Sequence, residues 1–364
     1  MRVLHVGKYY FPYRRGIETY LKTLAEGLKD RCDLLVAVSN TERKSVEEEI
    51  NGVKVIRLSP ALHLFSTDFT LGLPKLIKDF KPDIIHVHLP NPWAETAWKL
   101  AGKPKRLFVS FHSDIIRQKT LLKLYAPFHR AFLSAAEKIL VATPNHIKYS
   151  PFLSKLPPEK LAVVHYGLEA EKYSQAAPEK VTALKEKYGT FALSVGSLVY
   201  YKGFEIFIEA LRHTPEINGV IVGRGPLKQK LQAQIERANL QKRVFLLDEL
   251  PEEELIAAYH ACESFVLASN FRSEAFGLVQ LEAFLASKPV ISTNLESGVP
   301  YVNQNGKTGI IIPPNDVKAL AEALRALHED ETLRVTLGKN ARERGVKDFS
   351  AAEMIEKTYQ LYLS

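Results

Sequence analysis

The chain has 364 residues, 46% hydrophobic and 25% charged, with a formal net charge of +8. That length accommodates two domains of about 150–200 residues each, and no apolar run approaches the roughly 18 residues needed to cross a bilayer. The cysteines Cys32 and Cys262 lie in separate halves, which excludes a disulfide framework and points to a reducing compartment. Charge is uneven: residues 1–180 hold 28 Lys and Arg against 18 Asp and Glu, net +10, and residues 181–364 hold 21 against 23, net −2. An anionic partner for the first half (lipid headgroups, a phosphorylated substrate or nucleic acid) accounts for this asymmetry, as does plain solubilising charge.

In chain order, "MRVLHVGKYYF" has too short an apolar run for a secretory leader and reads as a first strand, so a cytoplasmic protein is expected. Further strands are predicted at "DLLVAVS", "VKVIRL", "DIIHVHL", "RLFVSFH", "KILVAT" and "LAVVHYG". In the second half they fall at "FALSVGS", "GVIVG", "RVFLLD", "SFVLAS", "PVIST" and "TGIIIPP". These runs are continuous in Val, Ile, Leu and Phe instead of alternating, the pattern of parallel strands buried on both faces. Helical segments such as "PLKQKLQAQIERANL" and "DVKALAEALRALHED" separate them, so right-handed βαβ units and one doubly wound sheet per half are predicted. The polar stretch "EAEKYSQAAPEKVTALKEKYG" reads as a linker and lead-in helix, and "FSAAEMIEKTYQLYLS" as a terminal amphipathic helix. Ligands in such sheets bind beyond the carboxyl ends of the strands, which directs attention to a cleft between two facing domains.

One stretch at a strand end carries chemistry. "RSEAFGLVQLEAF" has two carboxylates, Glu274 and Glu282, around a turn-like entry and a helix expected to begin near Phe276-Gly277. The first amides of a helix suit a phosphate, and carboxylates flanking that phosphate would accept hydrogen bonds from hydroxyls on either side. A nucleoside diphosphate sugar has that layout. Glu274 as a simple cap and Glu282 as a solvated side chain is the competing reading. "SVGSLVYYKGF" places Gly196 after a strand and Lys202-Gly203 at a helix start, where the lysine can reach a pyrophosphate. "IVGRGPL" puts Gly223 and Gly225 at another strand end, where a bare backbone permits close approach or merely a turn.

Together and in this order, "VGSLVYYKG", "VGRGPL", "SEAFGLVQLEA", "KPVIST" and "NGKTGIIIPPND" resemble the retaining glycosyltransferases of family 4, and the stretch "SGVPYVNQNGKTG" looks like bacterial mannosyltransferases of polysaccharide assembly. The resemblance covers nearly the whole chain. It implies the α/β GT-B fold, two Rossmann-like doubly wound parallel-sheet domains facing across a cleft. Residues 1–172 would form an acceptor-binding domain completed by a returning helix, 350–364, and residues 173–349 a donor-binding domain. In the family the first glutamate of the E-x7-E pattern contacts the donor sugar and the second holds the ribose. The implied catalytic residues are His112, Glu274 and Lys202. The implied donor site comprises Gly16, Ser197, Lys202, Gly223, Arg224, Glu274, Phe276, Gly277, Leu278 and Glu282, with Arg15, Glu18 and Asp114 on the acceptor side.

Two positions depart from the family. Ser197 stands where an arginine commonly helps hold the diphosphate, leaving Lys202, the helix start, Arg272 or Arg224 for that task. Asp248 stands where a glycine often lies near the base. No D-x-D triplet occurs, consistent with a metal-independent enzyme; His86 and His88 share a strand face, but no third ligand is evident from sequence. The expected donor is GDP-mannose, with UDP-glucose or another UDP-hexose next, and the expected acceptor is a saccharide or lipid-linked saccharide. The basic, aromatic stretch "DIIRQKTLLKLYAPFHRAFLSAAEK", from Asp114 through Arg117 to Lys138, suits either an anionic membrane surface, at its inner face, or a crossover helix packed on a sheet. Rival readings are a nucleotide-sugar epimerase of the same architecture and a non-catalytic basic membrane or nucleic-acid module, the latter leaving Glu274, Glu282 and Lys202 unexplained. A dehydrogenase is excluded by the lack of G-x-G-x-x-G after the first strand. No nucleic-acid partner, cofactor or metal is expected.

Overall fold

A computed structural model describes residues 1–13, 15–64, 67–104, 106–115 and 119–364, the side chains of 119–122 excepted. The chain divides into two compact units, Met1–Gly167 with Ala351–Ser364, and Leu168–Ser350.

Among the described residues of the first unit, eight strands form one sheet in the spatial order Leu161–Val163, Lys138–Val141, Arg106–Phe111, Ile84–Leu89, Arg2–Val6, Asp33–Ser39, Val53–Leu58, Val46–Ile50. Pairing is parallel until the last pair, where Val46–Ile50 runs antiparallel as an edge. The central strands are buried on both faces because helices cover both, as parallel sheets require, although His5, His86 and His88 interrupt their apolar runs. Val46–Ile50 instead alternates exposed glutamates with half-buried positions, the pattern of a strand with one wet face. Strand order reverses at Arg2–Val6, so the loops leaving Arg2–Val6 and Ile84–Leu89 emerge side by side.

The helix Ala351–Leu363 belongs to this unit. It packs against helix Gly16–Leu28, where Ile355 fills the space that a Cβ on Gly27 would need. Its Met354, Thr358 and Tyr362 are buried. Arg106, which also grips Glu137, donates from Nη1 to the Tyr362 carbonyl at 2.8 Å and holds the last turn.

The second unit has a six-stranded parallel sheet among its described residues, in the order Val244–Leu247, Asn218–Val222, Phe191–Val195, Ser264–Leu267, Val290–Thr293, Gly309–Ile312. The sequence enters at Phe191–Val195, builds outward one way, then returns and builds the other way from Ser264–Leu267. The reversal point is therefore between the carboxyl ends of Phe191–Val195 and Ser264–Leu267, where a doubly wound sheet leaves a crevice for a ligand. Phe204, Phe207, Leu231, Leu320 and Leu324 pack helices onto one face of this sheet.

Deleting Ala351–Ser364 would expose one face of the first unit. Burial of Met and Tyr side chains is worth about 1.5–3 kcal/mol each, a large share of the 5–15 kcal/mol typical of a domain. The truncated protein is expected to bind a hydrophobic dye and lose its upper or only melting transition by calorimetry; an unchanged melting profile would contradict this placement of the helix.

Candidate active site

At the reversal point of the second unit, the loop after Phe191–Val195 carries Lys202 and the loop after Ser264–Leu267 carries Glu274. Lys202 Nζ lies 2.7 Å from Glu274 Oε2, with both side chains largely buried. Ser269, the residue that ends the second loop's approach, donates its hydroxyl to the same carboxylate oxygen at 2.9 Å. Thr293, on the next strand, in turn donates to the Ser269 carbonyl at 2.5 Å. Burial opposes the charge on Lys202, but Glu274, Tyr201 and Glu282 outweigh it and hold the ammonium above the ordinary lysine range. Lys202 is thus charged.

Gly277 has φ +75°, a left-handed turn that swings the chain into helix Val279–Leu285. The helix begins at Val279, with Leu278 as its cap, two residues after the expected start at Phe276-Gly277. Glu282 consequently lies in the first turn and not one and a half turns in. It accepts a hydrogen bond from Tyr259 at 2.7 Å, and burial, only partly offset by that bond, pushes its carboxyl above the usual range. Phe276 is buried, its ring edge-on to Phe349.

Gly203 caps helix Phe204–Leu211 at φ +68°, and a Cβ there would sit 2.0 Å from the Ala268 carbonyl oxygen. Any side chain at Gly203 would push the lysine loop off the glutamate loop. Gly223 has a structural reason of its own: a Cβ would lie 1.9 Å from the Gly196 carbonyl oxygen, so it lets two strand ends pass. Ser197 sits in the tight turn before Val199, its carbonyl accepting from Val199 at 2.8 Å. Arg224 is exposed and loosely paired with Asp248 at 3.9 Å and Glu249 at 4.0 Å, while Asp248 takes Lys228 at 2.7 Å. Exposed pairs of this kind cost little to break. Arg272 is half-buried in the same loop as Glu274.

In the first unit, helix Gly16–Leu28 starts with Arg15 as an exposed cap and Glu18 buried in its first turn. Burial raises the Glu18 carboxyl, with its own backbone amide, Arg15 and Lys8 acting against that rise. A Cβ on Gly16 would meet open space, so packing does not demand glycine there. Asp114 accepts from Ser150 Oγ at 2.8 Å. His112 ends strand Arg106–Phe111 and is buried; its Nδ1 bonds the Tyr166 hydroxyl and its Nε2 lies 3.2 Å from His88 Nδ1. Burial drops its pKa to about 3, so it is a neutral imidazole at neutral pH. His5 joins His86 and His88 as the third histidine that sequence spacing did not reveal, their ligand atoms within 4.8 Å of one another. The ring nitrogens of these residues are nevertheless engaged in hydrogen bonds.

Elsewhere, a cavity of about 500 Å³ lies at the amino ends of the second sheet's strands, lined by Lys185, Cys262, Lys288 and Arg334, away from Lys202 and Glu274. In helix Lys119–Ala135, Phe132 and Leu133 are buried in the first unit's core, with Phe132 edge-on to Trp98 at 5.3 Å. His129 Nδ1 bonds Glu95 at 2.9 Å. The described face of this stretch thus behaves as a crossover helix, leaving Lys123, Leu124 and Arg130 outward; Arg117 and the side chains of Lys119, Leu121 and Leu122 lie outside the described residues. Among the described residues no helix is long and apolar enough to cross a membrane.

Because the Glu282 carboxyl titrates above its unfolded value, its contribution to stability is complete below the ordinary carboxylate range and is lost as pH rises through the raised value. Glu282→Gln keeps an oxygen for Tyr259 without that charge. The variant is expected to be more stable than the parent at about pH 8, with the difference vanishing towards pH 4, in paired urea titrations; a variant less stable at pH 8 would contradict the burial argument.

Residues 14–172 match the family described as Glycosyltransferase Family 4, and residues 178–344 match Glycosyl transferases group 1. The chain is 34% identical to O-antigen chain mannosyltransferase C of Escherichia coli over 100% of this chain and 98% of that protein. It is 35% identical to D-rhamnosyltransferase WbpZ of Pseudomonas aeruginosa over 96% and 93%. Among solved structures, Anabaena Alr3699/HepE in complex with UDP and glucose aligns at TM-score 0.82 and 21% identity, covering 100% of both chains. Sucrose-phosphate synthase of Thermosynechococcus elongatus aligns at 0.84 and 22%, covering 99% and 98%. With two parallel-sheet units, this alignment and these relatives, the chain belongs to glycosyltransferase family 4 and has the GT-B fold.

Proposed function

We propose that the protein is a retaining, metal-independent hexosyltransferase that moves mannose from GDP-mannose to a saccharide or lipid-linked saccharide in polysaccharide synthesis. The observation that carries this reading is the buried Lys202–Glu274 pair at the strand-order reversal, with Glu282 in the first turn of the helix that follows it. Full-length likeness to a protein named as a mannosyltransferase favours mannose. The equally similar Pseudomonas protein, named as a D-rhamnosyltransferase, makes a nucleotide-linked D-rhamnose the second donor.

On this reading the second unit holds the donor. Lys202 exchanges Glu274 for the diphosphate, joined by the amides at the start of Val279–Leu285. Glu274, released, accepts from sugar hydroxyls, and Glu282 accepts from the ribose. The first unit supplies Glu18 and Asp114 to the acceptor, and His112 as a neutral hydrogen-bonding group at the sugar. The economical route is front-face displacement: the bond from the sugar's anomeric carbon to the phosphate oxygen breaks, the acceptor oxygen bonds to that carbon on the same face, and the acceptor's proton passes to the departing phosphate oxygen. The side chains then act by orientation and by stabilising growing negative charge. A lipid-linked acceptor at an anionic surface is supported by the net +10 of residues 1–180 and by exposed Leu62, Leu64 and Leu71.

The test is nucleotide release and anomeric NMR of the product, with chelator present, across GDP-mannose, UDP-glucose and other sugar nucleotides, offered with soluble saccharides and with lipid-linked saccharide in anionic vesicles. GDP-mannose is expected to turn over fastest, with retained configuration and with the vesicle-borne acceptor preferred. Glu274→Gln is expected to lower kcat about 100-fold or more, the scale for losing a preorganised polar contact at the reacting group. An inverted product, or a Glu274→Gln variant as fast as the parent, would overturn the assignment.

A further inference from the structure

The cavity of about 500 Å³ in the second unit is built from residues that immediately precede three strands of its sheet. Gly189 and Thr190 lie before Phe191–Val195, Cys262 and Glu263 before Ser264–Leu267, and Lys288 and Pro289 before Val290–Thr293. Helix Pro178–Tyr188 adds Lys185, and helix Glu331–Asp348 adds Arg334. Lys202 and Glu274 stand beyond the carboxyl ends of two of the same strands. These strands are four or five residues long, so at about 3.3 Å per residue the two places are at least roughly 13 Å apart. No small ligand at Lys202 and Glu274 fills this cavity as well.

Its lining carries Lys185, Lys288 and Arg334 against one carboxylate, Glu263. That carboxylate is already engaged: Oε2 lies 2.9 Å from His328 Nδ1, and Oε1 lies 3.9 Å from Arg334 Nη1. Arg334 Nη1 also donates to the carbonyls of Leu327 at 2.7 Å and His328 at 3.0 Å, which fixes the guanidinium. Its Nε and Nη2, the edge with which an arginine grips a phosphate through two parallel bonds, have no partner among the described residues. Neither lysine has an ion pair or a side-chain hydrogen bond among them either. Lys288 is half-buried, and its backbone is held where it is because its amide donates to the Ala283 carbonyl at 2.9 Å, closing helix Val279–Leu285. Burial pulls its ammonium below the ordinary lysine range; Lys185 and Arg334 pull the same way, against Cys262 and Glu263. A half-buried ammonium beside two further cations, with its carboxylate neighbour occupied, is unfavourable until an anion joins it.

We propose that this cavity is a second anion site, separate from the donor site, that binds the phosphate group of a small metabolite through Lys288 and the free edge of Arg334. Three cations less Glu263 leave two positive charges, which match a phosphate dianion better than a single carboxylate. Exposed Lys185 adds its charge from the surface. The volume is in the range of small-ligand pockets and leaves room for a sugar-sized group beside the phosphate. Thr190 and Ser287 present hydroxyls to such a group, and Pro289 and Val335 present apolar surface.

The experiment is calorimetric titration of the full-length protein with inorganic phosphate and with mannose 6-phosphate, at ionic strength held constant with sodium chloride, beside thermal unfolding. Lys202→Ala removes the donor site's lysine and isolates the cavity, so phosphate is expected to bind this variant still. Adding Lys288→Met is expected to weaken that binding roughly tenfold or more, the worth of a charge-assisted hydrogen bond, and Lys288→Arg is expected to restore it. Tighter binding of mannose 6-phosphate than of phosphate assigns a phosphate ester to the cavity, and equal binding assigns free phosphate. Without ligand, Lys288→Met is expected to melt above the parent, and phosphate is expected to narrow the gap. Binding lost in Lys202→Ala, binding unchanged by Lys288→Met, a heat that sodium chloride alone reproduces, or an unliganded Lys288→Met that melts below the parent would each overturn the proposal. If Lys288→Met does not fold, Lys185→Ala, at an exposed position, is expected to weaken phosphate binding, and undiminished binding there overturns it too. None of these measurements uses a sugar nucleotide or an acceptor, so failure of the transferase reading and failure of this one are separately visible.

Discussion

The buried ion pair between Lys202 and Glu274 is the interaction on which the proposed donor site of the second unit depends. Removing two charges from water is expensive, and a pair of hydrophobic side chains in their place would often serve stability as well or better. Its position is set by topology. Strand order reverses between Phe191–Val195 and Ser264–Leu267, so one loop delivers a cation and its neighbour an anion to the same point. Gly203 allows the two loops to touch, because a Cβ there would overlap the Ala268 carbonyl. Ser269 and Thr293 then brace the carboxylate from the strand ends behind it. On the proposed reading, a phosphate of the nucleotide sugar would take Glu274's place beside Lys202, and a sugar hydroxyl would take Lys202's place beside Glu274.

The first unit is arranged on a different principle. Its central strands carry histidines where most doubly wound sheets carry valine or isoleucine, and these are satisfied by one another, by tyrosines and by Ser110. A polar network in such surroundings is tolerable when every member has a partner, and it then specifies one arrangement. The C-terminal helix is part of that arrangement, since Tyr362 bonds His5 and His86 and Arg106 anchors the helix end. The last residues of the chain are thus tied to the strand that ends at His112.

Much of this was legible in sequence because it is local. Continuous apolar strands, glycines at strand ends and the spacing of Glu274 and Glu282 are patterns within a few residues of one another, and they led to two doubly wound sheets and the family. What was not legible depends on distant segments. The bracing of Glu282 by Tyr259 joins residues 23 apart, and the third histidine, His5, is 83 residues from His88. Strand Val46–Ile50 was missed because its glutamates, on a half-wet edge, hide the apolar signal. Helix Lys119–Ala135 has an amphipathic pattern that fits a membrane or a sheet equally, and only packing shows Phe132 and Leu133 in the core. The start of Val279–Leu285 was misplaced by two residues because Gly277 is the turn before the helix and not its first residue.

The central claim is that Lys202 and Glu274 form the seat of a nucleotide-diphosphate sugar. The most direct test is thermal unfolding of the parent, Lys202→Ala and Glu274→Gln proteins with and without GDP-mannose, chelator present throughout. At a hundred times its dissociation constant the donor should add about 2.7 kcal/mol to the parent, and each variant should lose most of that gain while remaining folded. A folded parent that responds to no nucleotide sugar, or variants that respond as the parent does, would contradict the account.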